Sequence, residues 1–561
     1  MNSFRTSDPL ETTPRIEESE SPRLSRLLET SLEALVRFWT LPVLQRPWTR
    51  AAWFAGLAAL CLVRMRIALA GVELFSHDVF AMFDPAWRML HGQRPHIDFY
   101  SHLGLVAYLP TLLGMWLAQG HGQGFAYALG SSIAACLVGA WIYLVGRQRM
   151  AGMPLVVLVA LTVLIVADPS TLGFSPLIFA PVTTYNRLGY ALTAILLIEI
   201  LVPPADSNDA SHYAGGSSSG LSTGLSLFLK LNYFFGAVFL LLALYRCRTQ
   251  RRSRVYGVAS GFLMVFLLAA AYFRFHFLPV ARDLLLVMRA KHIKLSFYDI
   301  DQILLASGTL LVLALMVNFL LRRDAKGSNA LANSMLWSSF IICMAGGMLI
   351  FGNFEPQGFP PLRFFAALTV SMIVRAGILT RGNRDGLSLA TLALASVCVF
   401  VPIASSILAL GNGLTQKFLA APHSPAIDAA RFYDFVPQGE EWYTNQVNDG
   451  LTLLRKYRLP GETVMSLDFT NAFSVTLPAE PPPGGAATLQ YGTTFSDLHR
   501  PWAGRLFGRA NLVMLPKMYS DPTLADNIPR LYGAYLEEHF RPVAESPAWR
   551  LYRRVSLPDS D

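Results

Sequence analysis

Apolar runs that alternate with short clusters of basic residues constrain this chain more than any other feature. The runs recur between residues 51 and 410, and 53% of the 561 residues are hydrophobic. The mean hydropathy of +0.40 is too high for a soluble protein of this length. The formal net charge of +9 comes from Lys and Arg that lie mostly between the runs, which is typical of cytoplasmic loops and not of a nucleic-acid-binding surface. The sequence therefore predicts a polytopic α-helical membrane protein that does not bind nucleic acid.

The basic clusters also orient the predicted spans. Arg46 and Arg50 precede the first span, at residues 51–74, and carboxylates follow it, so residues 1–50 are predicted to be cytoplasmic. Within that tail, residues 23–42 carry leucines at helical spacing opposite charged residues. This pattern predicts an amphipathic helix that lies on the membrane surface.

Residues 103–119 are apolar but short, and Pro110 and Gly114 interrupt them. If they crossed the membrane, Arg147 and Arg149 after the next apolar run would lie outside, against the positive-inside rule. We therefore expect a helix in the outer interface at this point and no crossing.

Residues 221–245 pose the same problem, because the densest basic cluster of the chain follows them. Splitting this run at Lys230 and Asn232 into a rising and a falling helix returns the cluster to the cytoplasm and brings Lys230 toward the outer half of the membrane. The Ser- and Gly-rich residues 203–220 are then predicted to be a flexible cytoplasmic linker. With residues 336–351 included, the count is about eleven crossings, with the N-terminus inside and the C-terminus outside.

Two further outer segments complete the predicted organisation. Residues 273–301 are interpreted as a long outer loop, and their basic character indicates anion binding. Residues 413–561 contain no apolar run of membrane length and predict a small extracytoplasmic α/β domain. Its predicted elements are a helix, a turn at Pro460, a strand, a second helix at residues 526–540 and a final strand at residues 549–555.

Titratable residues are densest in the first outer loop, at residues 72–123 of a transmembrane domain predicted over residues 51–412. Only 15% of the chain is charged, yet residues 76–110 contain three carboxylates and four histidines, namely Asp78, Asp84, Asp98, His77, His91, His96 and His102. Such groups require water or a polar cavity next to membrane-embedded segments. We interpret the stretch as the first half of an active site. The alternative is a solvated loop whose charges merely keep it out of the membrane.

Four motifs occur in a fixed order along the chain. They are the pair His77 and Asp78, the sequence GQRPHIDFYSHLGLVAYLP downstream of it, the second outer loop ending in TTYNRLG, and the helical pair with FLKLNY at its turn. Their order resembles the GT-C superfamily of membrane glycosyltransferases, which includes the protein O-mannosyltransferases and the lipid A aminoarabinose transferases. The resemblance implies a polyprenyl-phosphate-linked sugar as donor, inversion at the anomeric carbon, and a glycan, lipid or protein as acceptor. It also implies a bacterial inner-membrane location with the active site facing the periplasm.

Displacing a lipid phosphate by a hydroxyl requires a base beside the acceptor and cations beside the leaving phosphate. Asp78, next to His77, is the candidate base, and the alternative is that Asp78 caps a helix starting at Val79. The phosphate candidates are Lys230, Arg187 and Arg274. The other candidates for substrate binding are Asp98, Tyr100, His102, Tyr185, Asn186, Asn232, Glu355 and Gln357.

The sequence leaves the need for a metal ion open. Asp78 follows a histidine where many GT-C members have a second acid, and paired carboxylates would favour Mg²⁺ or Mn²⁺. One acid among His, Lys and Arg can handle a phosphate without a metal, so no residue is assigned as a metal ligand. Asp84 lies four residues before Arg88, which favours a structural ion pair over a catalytic role.

Three other functions compete with a glycosyltransferase. A transporter or flippase for lipid-linked sugars would favour an inverted repeat, and none is visible in the sequence. An O-antigen ligase or polymerase should carry its main outer loop late among the spans. A non-catalytic scaffold would not need the titratable residues around Asp78 or a lysine within an apolar run at Lys230.

Overall fold

The fold is described from a computed structural model of the chain. The residues that it describes are 22–43, 46–150, 152–170, 175–181, 184–204, 208–247, 252–291, 297–324, 360–379, 386–419, 426–437, 439, 441–477 and 479–555. Residues 336–351, Glu355 and Gln357 lie outside this set, so the predictions made for them stay predictions.

Helices dominate the apolar part of the chain. They are α1 (Pro22–Thr40), α2 (Pro47–Ile67), α3 (Phe80–Leu90), α4 (Leu109–Leu117), α5 (Gln123–Gly146), α6 (Met153–Ala167), α7 (Thr184–Leu201), α8 (Asp209–Leu227), α9 (Leu231–Cys247), α10 (Arg252–Tyr272), α11 (Phe277–Ala290), α12 (Phe297–Asp324), α13 (Pro360–Arg375) and α14 (Gly386–Leu419). Among the described residues, α5, α10 and α14 are long and apolar enough to cross a membrane. Helices α2, α5 to α10 and α12 to α14 correspond to ten of the eleven predicted crossings, and the number of crossings itself stays a prediction.

The C-terminal part forms the predicted α/β module. Its elements are β2 (Phe435–Pro437), α15 (Glu441–Tyr457), β3 (Val464–Ser466), α16 (Phe473–Thr476), α17 (Ala503–Phe507), β4 (Leu512–Pro516), α18 (Leu524–His539), β5 (Phe540–Glu545) and β6 (Trp549–Arg554). Four strands form a sheet of order β3-β4-β6-β5, in which β3 and β4 are parallel. The predicted helices and the strands β3 and β6 are confirmed, whereas β4 and β5 were not predicted. Helix α14 extends to Leu419, beyond the predicted boundary at residue 413.

The first predicted span ends earlier than expected. Helix α2 stops at Ile67, because Ala68 and Gly71 have φ angles of 55° and 80° that a right-handed helix does not allow. Leu69–Val72 instead forms strand β1, which pairs in parallel with β2 of the C-terminal module. The residues before the first outer loop are thus fixed by the last part of the chain.

The predicted flexible linker at residues 203–220 is wrong, because its second half belongs to helix α8. Gly216 and Gly220 face α10 so closely that a Cβ would lie 2.2 Å from Arg254 O and 2.1 Å from Val258 O. Small residues at four-residue spacing let two membrane helices approach at backbone distance. The Gly- and Ser-rich composition, which is typical of a linker, allows close helix packing in this protein.

The predicted helical hairpin at Lys230 and the predicted short helix near residues 103–119 are both confirmed. Helices α8 and α9 meet at Phe228–Lys230, where no helix continues. Helix α4 has only nine residues, about 14 Å at about 1.5 Å per residue, which is about half of a bilayer core. It therefore cannot cross, and α1 likewise confirms the predicted helix of the N-terminal tail.

Most of the described residues of the predicted outer loop at residues 273–301 form helix α11, so this connection is helical and not irregular, and its outer location stays a prediction. One side of α11 carries Asp283, which is fully buried. Arg505 of the C-terminal module donates through Nη2 to Asp283 Oδ2 at 3.0 Å, and His96 Nδ1 lies 3.2 Å from the same oxygen. A buried carboxylate thus joins α11, the first outer loop and the C-terminal module.

Helix α5 connects two ends of the bundle. At its start, Gly124 N and Phe125 N donate to the Asp434 carboxylate at 3.0 and 2.7 Å, so this end faces the C-terminal module. Past its other terminus, Arg149 Nη2 lies 2.6 Å from Glu199 Oε2 near the end of α7. We call the two ends the module end and the distal end.

The predicted separation of the acid-rich loop from Arg149 is therefore confirmed. Which end faces the cytoplasm remains a prediction from the charge distribution.

Candidate active site

Asp78 lies at the module end, in a single 3₁₀ turn, Ser76–Val79, that follows strand β1. The N-cap residue of α3 is Val79, and no side chain caps that helix. The alternative prediction, in which Asp78 caps the helix, is therefore wrong. His77 Nε2 lies 3.6 Å from Asp78 Oδ1, and the two side chains are 12% and 15% exposed. The predicted pair is thus close together and largely screened from bulk water.

The C-terminal module forms one wall around His77. Thr470 Oγ1 donates to the His77 carbonyl at 3.3 Å, and the ring of Phe469 contacts the imidazole edge-on at a centroid distance of 5.1 Å. Tyr443 of α15 adds a second edge-on ring at 5.8 Å. The orientation of His77 therefore depends on residues almost 400 positions later in the sequence.

A polar cavity lies between the module-end parts of α2, α5, α6 and α7. It has a volume of about 30 Å³, and its polar lining residues are Arg64, Thr111, Tyr127, Ser131, Asp168, Thr184, Tyr185 and Arg187; we call it the arginine cavity. Arg64 and Arg187 are both 2% exposed. Two buried guanidinium groups in one cavity require neutralising contacts.

The protein supplies few of those contacts. Arg64 Nη1 donates to Ala68 O at 2.7 Å, and Arg187 Nη2 donates to Ser170 O, so both arginines bind backbone carbonyls. Within the described part of the chain, neither forms a salt bridge, and the Nε atoms of both are buried without a hydrogen-bond partner. The cavity therefore has donors available for an anion.

Asp168, the carboxylate of this cavity, is occupied by hydroxyl groups. Its Oδ1 accepts from the backbone N and the hydroxyl of Ser170 at 2.8 and 2.6 Å, and its Oδ2 accepts from Ser406 Oγ at 2.5 Å. These hydrogen bonds anchor the end of α6 to α14. These hydrogen bonds satisfy both carboxylate oxygens of Asp168, so its burial requires no contact with a ligand.

Tyr127 connects the arginine cavity to Asp78. Its hydroxyl donates to Thr184 Oγ1 at 2.5 Å, and Arg187, Arg64 and Asp78 all lie within electrostatic range of that hydroxyl. The candidate base and the two buried arginines therefore belong to one electrostatic neighbourhood at the module end.

Lys230 contacts the ring of Tyr185, a residue that lines the arginine cavity. Its Nζ is 5.1 Å from the centroid of the Tyr185 ring, a cation–π distance. The turn that carries Lys230 is tied to the first outer loop, because Gly104 N donates to Leu229 O at 3.0 Å. The lysine thus borders the arginine cavity through one aromatic ring.

No protein-family model and no curated protein matches the chain, whereas several solved structures do. The chain is similar to ArnT and AglB. ArnT from Cupriavidus metallidurans in the apo state is 11% identical, with 90% of this chain and 98% of that chain covered and a TM-score of 0.47. ArnT bound to undecaprenyl phosphate is 11% identical, with 91% and 99% covered and a TM-score of 0.43.

The archaeal oligosaccharyltransferase AglB from Archaeoglobus fulgidus, in complex with an inhibitory peptide and a dolichol-phosphate, is 12% identical. The comparison covers 84% of this chain and 70% of AglB, with a TM-score of 0.38.

The predicted site residues fall into three groups. The first group lies at the module end near the arginine cavity, which Tyr185 and Arg187 line, and also contains His77, Asp78, Asn186, Lys230 and Asn232. Asn186 is fully buried, and its carbonyl accepts from Tyr233 of α9 at 3.0 Å. Asn232 Oδ1 accepts from Tyr233 N at 3.0 Å, so both asparagines meet the same tyrosine.

The second group holds the C-terminal module in place. Tyr100 is fully buried, its hydroxyl donates to Thr494 O, and its backbone N donates to Gly485 O at 3.0 Å. His102 Nδ1 lies 2.8 Å from Thr488 Oγ1. These contacts tie both residues to the C-terminal module, and their predicted substrate binding stays a prediction.

Burial, together with the positive charges of Lys230, His96 and Lys291, lowers the pKa of His102 to about 3. The imidazole is therefore neutral at physiological pH and adds no cation to the site.

The third group, Asp98 and Arg274, lines a separate cavity beyond α3. The predicted phosphate candidate Arg274 is therefore not in the arginine cavity with Arg187. The structural interpretation of Asp84 is confirmed, since its Oδ2 accepts from Arg88 Nε at 2.8 Å and both side chains are buried. Arg88 Nη1 also donates to Pro482 O and Gly484 O at 2.8 Å, which docks α3 on the C-terminal module.

Sequence reasoning missed Arg64 and Tyr127. Arg64 lies inside the first predicted span, and a charged residue within an apolar run was the available signal. Tyr127 had no such signal, because tyrosines are common near membrane interfaces. Among the described residues, no group of three or more His, Cys, Asp or Glu side chains could hold a metal ion.

Proposed function

We propose that this chain is a membrane glycosyltransferase that moves a sugar from a polyprenyl-phosphate donor to a hydroxyl of a glycan, lipid or protein acceptor, with inversion. The observation that carries the proposal is the arginine cavity. Two buried guanidinium groups with unpartnered Nε atoms lie there within electrostatic range of the same tyrosine as the carboxylate of Asp78. The proposed reaction needs both groups, an anion site and a carboxylate base, at the same end of the bundle.

In the proposed reaction, the acceptor hydroxyl transfers its proton to the Asp78 carboxylate as its oxygen attacks the anomeric carbon of the donor. The bond between that carbon and the phosphate oxygen breaks, and the electron pair leaves with the polyprenyl phosphate. Arg187, Arg64 and Lys230 stabilise the negative charge of the leaving phosphate. His77 holds Asp78 in place, and the aromatic wall of Phe469 limits the access of water.

The chemistry of the cavity matches the ends of such a donor. A polyprenyl phosphate, the ligand class named for ArnT and AglB, combines one phosphate with an apolar chain that needs a lipid-facing path. The arginine cavity lies between helices at the module end of an apolar bundle, where both requirements can be met. We further propose that this end faces the periplasm of a bacterial inner membrane, since the basic clusters lie at the other end.

The substitution Asp78→Asn tests the proposal. It keeps the size of the side chain but removes the base, so the rate of sugar transfer should fall by about 10²- to 10⁴-fold. The measurement is the release of undecaprenyl phosphate from a panel of undecaprenyl-phosphate-linked sugars by the full-length protein in lipid. Binding of undecaprenyl phosphate and thermal unfolding should stay unchanged.

Asp526→Asn, which alters an exposed carboxylate on α18, is the matched control and should transfer at the full rate. Full transfer by Asp78→Asn together with loss of transfer in Asp98→Asn would show that the base is Asp98, in the same loop, and not Asp78. Release by neither the wild type nor any variant, combined with movement of the lipid across the bilayer, would instead support a flippase.

A further inference from the structure

A second cavity lies at the module end, beyond the C-terminal end of α3. It has a volume of about 310 Å³ and is lined by Gln93, Arg94, Asp98, Tyr272, Arg274 and Pro483, among others. This volume is at the lower end of the range of about 300 to 1,000 Å³ that is typical of small-molecule sites. We call it the loop cavity, because the first outer loop supplies most of its polar groups.

The loop cavity is not part of the arginine cavity. The two cavities share no lining residue, and helix α3, about 16 Å long at about 1.5 Å per residue, runs from the turn that carries Asp78 toward the loop cavity. Its ligand therefore does not need to touch the groups to which we assign sugar transfer.

The charges of the loop cavity are only partly compensated. Asp98 Oδ2 accepts from Arg94 N at 2.7 Å and from Arg94 Nε at 3.2 Å, which fixes the carboxylate against the loop. Asp98 Oδ1 and the Nη atoms of Arg94 have no hydrogen-bond partner among the described residues, and the Arg274 guanidinium has none there either. One carboxylate and two guanidinium groups leave a net charge of +1.

Arg274, an exposed residue that lines the cavity, has a left-handed backbone conformation. Arg274 and Phe275 have φ angles of 50° and 61°, and they close the end of α10 through Arg274 N to Ala271 O at 3.1 Å and Phe275 N to Ala270 O at 2.8 Å. Helices commonly end in this left-handed conformation with glycine, which has no side chain to strain. Two larger residues accept that strain here, and one of them contributes the uncompensated cation of the cavity.

We infer that the loop cavity binds an anionic sugar unit, one that carries a carboxylate or a phosphate. Arg274 binds the anionic group, because guanidinium groups form paired hydrogen bonds with carboxylates and phosphates. Asp98 Oδ1 accepts from a sugar hydroxyl, and the ring of Tyr272 supplies an apolar face with a hydroxyl at its edge. A neutral sugar would gain no charge-assisted hydrogen bond from Arg274 and should bind less tightly.

Isothermal titration of the full-length protein in detergent, without donor, tests this inference with galacturonate, glucose 6-phosphate and methyl galactoside as probes. The wild type should bind at least one of the two anionic probes about tenfold or more tightly than methyl galactoside. Tighter binding of galacturonate would indicate a carboxylate site, and tighter binding of glucose 6-phosphate would indicate a phosphate site. Arg274→Gln should abolish this preference, and Arg274→Lys should restore part of it.

Arg282→Gln is the matched control, because it removes an exposed arginine of α11 that does not line the cavity. It should keep the full preference for the anionic probe. Asp78→Asn should also keep it, so failure of the proposed transfer reaction leaves this result untouched. Three results would overturn the inference: no binding of any probe, equal binding of all three, or loss of the preference in Arg282→Gln as well.

Discussion

Buried arginines lie at both ends of the helical bundle, but among the described residues only those at the distal end form salt bridges. At the distal end, Arg149 and Arg254 share Glu199, with distances of 2.6 and 3.4 Å to its Oε2. At the module end, Arg64 and Arg187 share no carboxylate among the described residues and donate only to backbone carbonyls. The distal cluster is paired with a carboxylate in direct contact, whereas the module cluster combines two guanidinium groups with one carboxylate, Asp168, whose oxygens bind hydroxyl groups, which leaves a net charge of +1 for an anion from outside.

The difference shows what a buried cation can be used for. A charge that is paired inside the protein holds elements together, and at the distal end it joins α7, α10 and the loop after α5. A charge that is buried without a paired carboxylate lowers the stability of the fold unless a ligand supplies the countercharge. We therefore expect substitutions at the distal end to affect stability and substitutions at the module end to affect ligand binding.

Removing the distal carboxylate should have the largest effect on stability. Glu199→Gln leaves two buried guanidinium groups without a countercharge, which costs about 3–5 kcal/mol for a broken buried pair. Thermal unfolding of the full-length protein in detergent should show a clearly lower midpoint. Glu33→Gln, which breaks an exposed pair with Arg37 at 3.5 Å, is the control and should change the midpoint little. An unchanged midpoint in Glu199→Gln would remove the distinction between the two ends.

Removing a module-end cation should weaken donor binding instead. Arg187→Met and Lys230→Met each delete a charged donor, and hydrogen bonds to charged groups contribute about 1.5–3 kcal/mol, so affinity for undecaprenyl phosphate should fall by about 10- to 100-fold. The midpoint of thermal unfolding should stay near that of the wild type. The exposed Arg37→Met serves as the control for a change in net charge. Lower stability with unaltered lipid affinity would mean that Arg187 and Lys230 are structural, with Lys230 only anchoring its turn.

The close approach of α8 and α10 should also be required for the distal cluster. His212 of α8 lies within hydrogen-bonding distance of Arg254 of α10, with Nδ1 3.3 Å from Nη2. Gly216→Val would place a Cβ 2.2 Å from Arg254 O and push the helices apart, at a cost of about 1–3 kcal/mol for overpacking. Gly308→Val on α12, where a Cβ would meet nothing within 4 Å, is the control. Equal unfolding midpoints for both variants would show that the tight pair is not needed.

A pair of opposite pH dependences is expected at the module end. His102 has a pKa of about 3 in the fold and 6.5 as its ordinary value, so its contribution to stability is lost as the pH falls below 6.5. Burial raises the pKa of Asp468 from 3.8 to about 6, so its contribution is present below 3.8 and is lost as the pH rises through 6.

Between pH 4 and pH 6, His102→Gln should therefore lose less stability on acidification than the wild type, and Asp468→Asn should lose more. Unfolding midpoints at several pH values measure both slopes. His121→Gln, at an exposed histidine, is the control and should follow the wild type. Identical slopes in all four proteins would contradict the assignment of these two groups.

Much of the fold followed from the sequence because it depends on local patterns. Apolar runs of membrane length and basic clusters predicted the helices and the separation of Arg149 from the acid-rich loop. The position of Lys230 within an apolar run predicted the helical hairpin. Near Asp84, the spacing to Arg88 was enough to predict the ion pair that docks α3.

Other features depended on partners that are distant in sequence, and only the tertiary structure decided them. The Gly- and Ser-rich start of α8 is typical of a linker until α10 packs against it, because small side chains favour close helix contact only when a second helix is present. Strand β1 likewise exists because β2, more than 350 residues later, pairs with it.

The candidate site also combines features that the sequence determined with features that only the tertiary structure decided. The sequence by itself determined that Asp78, Arg187 and Lys230 are unusual polar residues beside apolar runs, since the cost of burying a charge is local. Which of them meet, and that Arg64 joins them while Arg274 does not, was decided by helix packing, because a cavity forms only between elements that the chain brings together.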